Sequence, residues 1–310
     1  MLTIFVALGA AFAFVVGRND GGPLVALSLQ GTERAPLWSV GVLVLALLSA
    51  PVLGLTGVAD TLFSMIGTGS STSNSAAWIV ASTLITLALA TAVHIPTSIT
   101  LALVGALTGA ALAQGTPIDR GLLIRVIVLG LAAPVLAALC AWTLSRLPTW
   151  RRFPRPVARQ LTFLALAGAY AVNDGQKLLF TALLLRHSIG TPPPGLVPAA
   201  FVAGVCLFAL GALTSLRSAS QFMRHGITSV SAQTVLTAEL SAAAAVVTGA
   251  ALGVPLSMTQ SLVGALLGTG LSRSLRAVYW SSLQRIGGAW LWTMPFAIAS
   301  SFLTVTLFGK

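Results

Sequence analysis

Apolar runs of about twenty residues, the length a helix needs to cross a bilayer, recur along the whole chain between short polar clusters. Ten runs are predicted to be helical, near residues 2–16, 36–55, 76–93, 96–113, 121–145, 159–172, 193–216, 231–252, 254–271 and 284–308. Between the fifth and sixth lies SRLPTWRRFPRPVAR, residues 145–159, whose five arginines and three prolines do not suit a helix across lipid. This seam divides the chain into residues 1–148 and 149–310, with five runs in each part.

The two parts repeat each other. Ile95 to Leu112 reads IPTSITLALVGALTGAAL and Val254 to Leu271 reads VPLSMTQSLVGALLGTGL, identical at ten of eighteen positions. An Asn-Asp-Gly trio precedes each copy, at Asn19-Asp20-Gly21 and Asn173-Asp174-Gly175. An odd number of crossings per repeat inverts the second relative to the first. The expected fold is therefore an all-α membrane protein of two inverted repeats, the pattern of a secondary transporter.

Composition agrees with a bilayer. Hydrophobic residues make up 56% of the 310 and charged ones only 7%, too few polar groups for a water-soluble surface. The net charge of +11 does not point to nucleic acid, because the basic residues fall in short loops rather than on one face. They set orientation instead. Basic loops favour the cytoplasm, which places the seam, Arg34, Arg217, Arg224, Arg273, Arg276 and Arg285 inside. Asp60, the Asp119-Arg120 pair and Thr191 to Gly195 then lie outside, with both termini. Residues 2–16 have no basic segment before them and read as a first membrane helix rather than a cleaved signal. Trp38, Trp78, Trp142, Trp150 and Trp280 near run ends suit interfacial anchors. Cys140 and Cys206, in different parts, indicate neither a disulfide nor a metal site, and both are expected to pack.

The third and fourth runs, and the eighth and ninth, are separated by only a residue or two, at His94-Ile95-Pro96 and Gly253-Val254-Pro255. Two full spans with a tight turn fit this spacing. A re-entrant hairpin fits better, since a polar Pro-x-Ser-x-Thr run follows each turn at once, and the two tips would then meet inside the membrane. With each proline in a first helical turn, Ser98, Thr100, Ser257 and Thr259 join the unpartnered amides of two helix N-termini, a setting for an anion. The competing reading, close helix packing through small residues, is preferred for Gly105, Gly109, Gly264 and Gly268.

A carboxylate in lipid needs a cation, a proton or hydrogen-bonding partners. Asp20 and Asp174 with Asn19 and Asn173, on backbone that the glycines allow to unwind, suit a small hard cation. Ordinary turn chemistry is the alternative, and recurrence in both repeats favours the cation. Glu239 is the other acid inside an apolar run, able to assist a cation or take a proton. Lys177 either neutralises Asp174, contacts an anion, or snorkels to the interface. Gln260 is a further auxiliary candidate. His94 at the first tip faces Gly253 in the other copy and reads as structural, and His187 and His225 as loop residues. No nucleophile and base pair, metal cluster or nucleotide loop is visible, so no enzyme, cofactor or catalytic residue is expected.

These motifs resemble the inorganic phosphate transporter (PiT) family, most closely from Ala238 to Pro295, where AEL, GVPLSMTQSLVGALLGTGL, RAVYW and RIGGAW stand in family order. Asn173-Asp174-Gly175-Gln176-Lys177 further resembles bacterial, proton-coupled members. The resemblance implies import of inorganic phosphate, free or as a metal phosphate, by symport with H+ or Na+ across the plasma (inner) membrane. It implies ion sites at Asn19, Asp20, Asn173 and Asp174, and phosphate held by Ser98, Thr100, Ser257 and Thr259 with the backbone of Ile99 and Met258. Glu239 matches an acidic position of the second repeat, and a homodimer is compatible. Ile99 and Met258 replace the central Thr of each Ser-Thr-Thr run, Gly22-Pro23 replaces Ala-Asn, and Arg18 stands where a small residue is usual. Another tetrahedral oxyanion such as sulfate is the alternative cargo. A non-transporting membrane subunit or sensor is the alternative of another class.

Overall fold

The structure, a computed structural model, describes residues 2–30, 35–66, 72–92, 97–148, 150, 155–189 and 193–309. Arg34, the His94-Ile95-Pro96 turn and the seam residues 151–154 lie outside the described residues. The side chains of His187, Arg224 and His225 are likewise not described.

Every predicted run becomes helix. The first part holds α1 (Leu2–Val16), a π-helical turn (Gly17–Gly21), α2 (Gly22–Ser28), α3 (Pro36–Val52), α4 (Gly57–Ser64), α5 (Thr72–Ala92), α6 (Ile99–Gln114) and α7 (Arg120–Arg146). The second holds α8 (Arg155–Val172), α9 (Gln176–Ile189), α10 (Leu196–Thr214), α11 (Leu216–His225), α12 (Ala232–Ala251), α13 (Met258–Arg273) and α14 (Trp280–Phe308). Helices α2, α4, α9 and α11 were not predicted from the runs, because α2, α4 and α11 are short and α2 and α9 adjoin the polar GRNDGGP and VNDGQK breaks.

Ten apolar runs do not make ten crossings. Among the described residues, six stretches are long and apolar enough to span a membrane: 2–28, 75–92, 120–146, 196–214, 232–251 and 280–308. The pair α3 and α4, bent by 70°, makes a seventh if counted as one span. Helices α6 and α13 have 16 residues each, about 24 Å at 1.5 Å per residue, short of a hydrocarbon core of about 30 Å. They are instead largely enclosed, with twelve of sixteen residues buried in each. The perimeter is apolar, with Leu131, Val135, Leu139, Leu291, Trp292, Leu303 and Leu307 facing outward, while Asp20, Asp174, Lys177 and Glu239 are buried within. That is the arrangement of a protein dissolved in lipid.

Small residues set the packing. A Cβ on Gly264 or Gly268 would come within 2.0 Å of the Pro134 or Ala138 carbonyl oxygen of α7. One on Gly105 or Gly109 would meet the Met294 or Ile298 carbonyl of α14 at 2.7 or 2.2 Å. The spacing is thus a packing device, as small-residue stripes in membranes commonly are. It joins the two parts crosswise, α6 against α14 and α13 against α7. Other contacts recur in the same way: α1 on α5 and α8 on α12, α1 on α10 and α8 on α3, α2 on α11 and α9 on α4.

Three local expectations are corrected. The connection from α12 to α13 runs over residues 252–257 rather than one or two, turning at Gly253 with φ +66°. Pro255 therefore precedes the helix, and Ser257, not the proline, caps it. The backbone at the first trio does not unwind: residues 17–21 form a π turn, continuous with α1 and α2, in which Gly17 and Gly22 keep right-handed helical dihedrals or helical bonding. Helix α10 packs directly against it, since a Cβ at Gly17 would sit 1.9 Å from the Phe208 carbonyl oxygen. Finally, Cys206 faces outward rather than packing inside, and both cysteines are free thiols.

Candidate substrate and cation site

The two helix starts that the sequence singles out touch each other at the centre of the molecule. Thr97, Ser98, Ile99 and Thr100 are buried, and so are Ser257, Met258, Thr259 and Gln260. The Thr100 hydroxyl donates to the Leu256 carbonyl at 2.9 Å, joining one tip to the other. Each serine is an N-cap: Ser98 Oγ accepts from the Leu101 amide at 3.2 Å, and Ser257 Oγ from the Gln260 amide at 3.3 Å. Such caps fix where a helix begins by satisfying an amide that has no intrahelical partner.

The second trio interrupts the helix between α8 and α9 and spends its side chains on the neighbouring tip. Asn173 acts as a strand neighbour would, its amide nitrogen donating to the Val254 carbonyl at 3.1 Å and its oxygen accepting from the Leu256 amide at 3.0 Å. Asp174 accepts from the Met258 amide at 3.1 Å, the first amide of α13, so an anionic group already occupies that positive helix end. Its other oxygen forms an ion pair with Lys177. Lys177 is 0% exposed, which rules out snorkelling. Besides Asp174, its ammonium donates to the Thr100 hydroxyl at 2.6 Å and reaches the Leu256 carbonyl at 3.5 Å.

The first trio faces the same centre. Asp20, 3% exposed, accepts from the Thr259 hydroxyl at 2.6 Å and from the Asn19 amide at 3.0 Å. Asn19 also donates to the Thr97 carbonyl at 3.2 Å. Each carboxylate is thus tied to the helix start of the opposite part, Asp20 to Thr259 directly and Asp174 to Thr100 through Lys177. A cavity of about 10 Å³ opens beside the tips, lined by Thr100, Pro255, Ser257, Gln260, Gly130 and Met294 among others. Around this centre the Tyr170 hydroxyl and the Gln260 side-chain nitrogen are buried with no hydrogen-bond partner among the described residues.

Glu239 is not part of the cluster. It is buried and accepts from Thr162 of α8 at 2.6 Å. Asn173 approaches α12 at Val246, seven residues further on, or about 10 Å along the axis. Sequence reasoning missed Tyr170, Thr162, Thr293, which hydrogen-bonds Thr97, and Gln176, which accepts from the Ala59 amide of α4 at 2.8 Å. Only Gln176 carried a signal, its position beside the second trio.

Fold and site together define a multi-pass, all-helical membrane protein with a buried polar centre assembled from two helix starts, two carboxylates and a lysine. The comparisons with known proteins narrow that class. The sequence pattern of the phosphate transporter family matches residues 161–301. A Mycobacterium leprae protein named "probable low-affinity inorganic phosphate transporter" is 28% identical over 329 residues, spanning 96% of this chain and 75% of its own. One of the same name from Bacillus subtilis is 25% identical over 319 residues, spanning 96% and 94%. Among solved structures, one titled "the sodium-dependent phosphate transporter" has the same fold, with a TM-score of 0.80 at 18% identity over 99% of this chain and 98% of that one. The chain belongs to the phosphate transporter family.

Proposed function

We propose that the protein is a secondary transporter that carries inorganic phosphate into the cell across the plasma membrane by symport with a cation. The observation that carries this reading is the contact between the α6 and α13 starts with both trio carboxylates beside them. Helix starts and hydroxyls receive a tetrahedral oxyanion, and a cation at the carboxylates offsets its charge. Cation-binding and coupling fall to Asn19, Asp20, Asn173 and Asp174. Phosphate falls to Ser98, Thr100, Ser257 and Thr259, with the backbone of Ile99 and Met258.

The structure has the compact geometry of a closed state. Thr100 and Thr259 are bonded to the chain's own groups, and a cavity of about 10 Å³ has room for roughly one water. Binding therefore requires the tips to part, so that phosphate replaces internal partners of similar polarity. Inverted repeats provide the means: the crosswise contacts of α6 with α14 and α13 with α7 support two matching bundles that rock about the shared centre.

Radiolabelled phosphate uptake into proteoliposomes under separate sodium and pH gradients tests the proposal. Uptake driven by one gradient and abolished by Asp20→Asn is the expected result. Uptake that sulfate competes away at equal concentration points to a general oxyanion permease, and absence of uptake under either gradient contradicts transport.

A further inference from the structure

The polar centre is built twice, and the two copies differ in the donor that joins carboxylate to carbonyl, the Asn19 amide in one and the Lys177 ammonium in the other. The repeat aligns Thr97 with Leu256, Thr100 with Thr259, and Asp20 with Asp174. Around Asp174 stand its carboxylate, the Thr100 hydroxyl and the Leu256 carbonyl, all facing the Lys177 ammonium. Around Asp20 stand the same kinds of group at the matching positions: its carboxylate, the Thr259 hydroxyl that donates to it, and the Thr97 carbonyl, which the neutral Asn19 amide joins to the carboxylate. Lys177 has no counterpart there, because the residue three beyond Asp20 is Pro23.

A carboxylate, a hydroxyl and a backbone carbonyl are the oxygen donors that a hard monovalent or divalent cation takes. They are also what an ammonium with three donors needs, and Lys177 uses all three. The side chain is wholly buried, and among the described residues no other cationic side chain is bonded to Asp174. Asp20, Asp174 and Lys177 sum to a formal charge of −1, which one monovalent cation neutralises.

We propose that the Lys177 ammonium is a tethered cation that fills one of two equivalent cation positions, so that only the position at Asp20 takes a cation from solution. Lys177 is then a specificity-determining residue that lowers the number of coupled cations by one. The inference rests on the cation-symport reading above, and its test needs neither phosphate nor transport.

Thermal unfolding of purified protein in sodium chloride and in choline chloride at equal ionic strength reads cation binding directly. Asp20→Asn removes the solution site, and its melting temperature is expected to be the same in both salts. Adding Lys177→Ala to Asp20→Asn opens the second position, so sodium should raise the melting temperature by about 4 °C or more near saturation. Lys177→Met in the same background removes the charge but keeps the volume, and should show no sodium effect. If the Ala double variant folds only in sodium, the inference is supported equally. An Ala double variant with no more sodium dependence than Asp20→Asn, or one that neither salt allows to fold, overturns it. Failure of wild-type uptake would instead refute the transport reading, leaving the cation measurement to stand by itself.

Discussion

Three ionisable side chains at the centre depend on one another. Lys177 and Asp174 are both buried, and removing one partner of such a pair leaves an uncompensated charge that costs about 3–5 kcal/mol. Asp174→Asn should lose stability of that order, whereas Asp174→Asn with Lys177→Met should recover most of it, because an uncharged pair of similar volume carries no stranded charge. Paired denaturation curves in detergent check this. At this scale the sequence singled out residues that the structure brings together and said less about what they touch. Asp20 and Asp174 stood out as acids in apolar runs, and the structure places both at the centre. Lys177 allowed three readings, and only the fold decides among them, because the Thr100 hydroxyl and Leu256 carbonyl that receive it lie 77 and 79 residues away. Tyr170 carried no sequence signal at all, being one more aromatic in an apolar helix.

Helices are held at their closest approaches by glycine. A side chain at Gly268 would overlap the Ala138 carbonyl, with a Cβ only 2.0 Å away. Gly268→Leu is therefore expected to separate α13 from α7 and cost about 3 kcal/mol or more, together with uptake, since α13 carries Thr259. Gly41→Ala on α3, where a Cβ meets nothing within 4 Å, should leave both melting temperature and uptake near wild type. The Gly-x-x-x-Gly spacing was legible as packing because its period matches a helix face. Helix boundaries were less so. Pro255 suggested a first turn, yet Ser257 caps the helix through its hydroxyl, leaving the proline in the connection before it. The first trio looked like a break, but it stays helical as a π turn packed against α10, a geometry that apolar patterning does not encode.

At the scale of the whole molecule, neither part of the chain completes the centre by itself. Asp20 needs Thr259, Lys177 needs Thr100, and α6 and α13 pack on the last long helix of the other part. Residues 1–148 and 149–310 expressed separately should each fail to accumulate as monodisperse protein, while their co-expression should yield a copurifying, phosphate-transporting pair. The repeat was visible in the sequence because ten of eighteen tip positions are shared. The number of spans stood between two counts, full spans or the favoured re-entrant hairpins, since a 16-residue buried helix and a crossing helix are equally apolar. The most direct test of the whole account is the concentration dependence of phosphate uptake in proteoliposomes for Thr100→Val and Thr259→Val, with Thr143→Val on the exposed face of α7 as control. The account predicts at least a tenfold loss in kcat/KM, about 1.4 kcal/mol, in both tip variants and none in the control. Wild-type kinetics in both tip variants would contradict a phosphate site between the two helix starts.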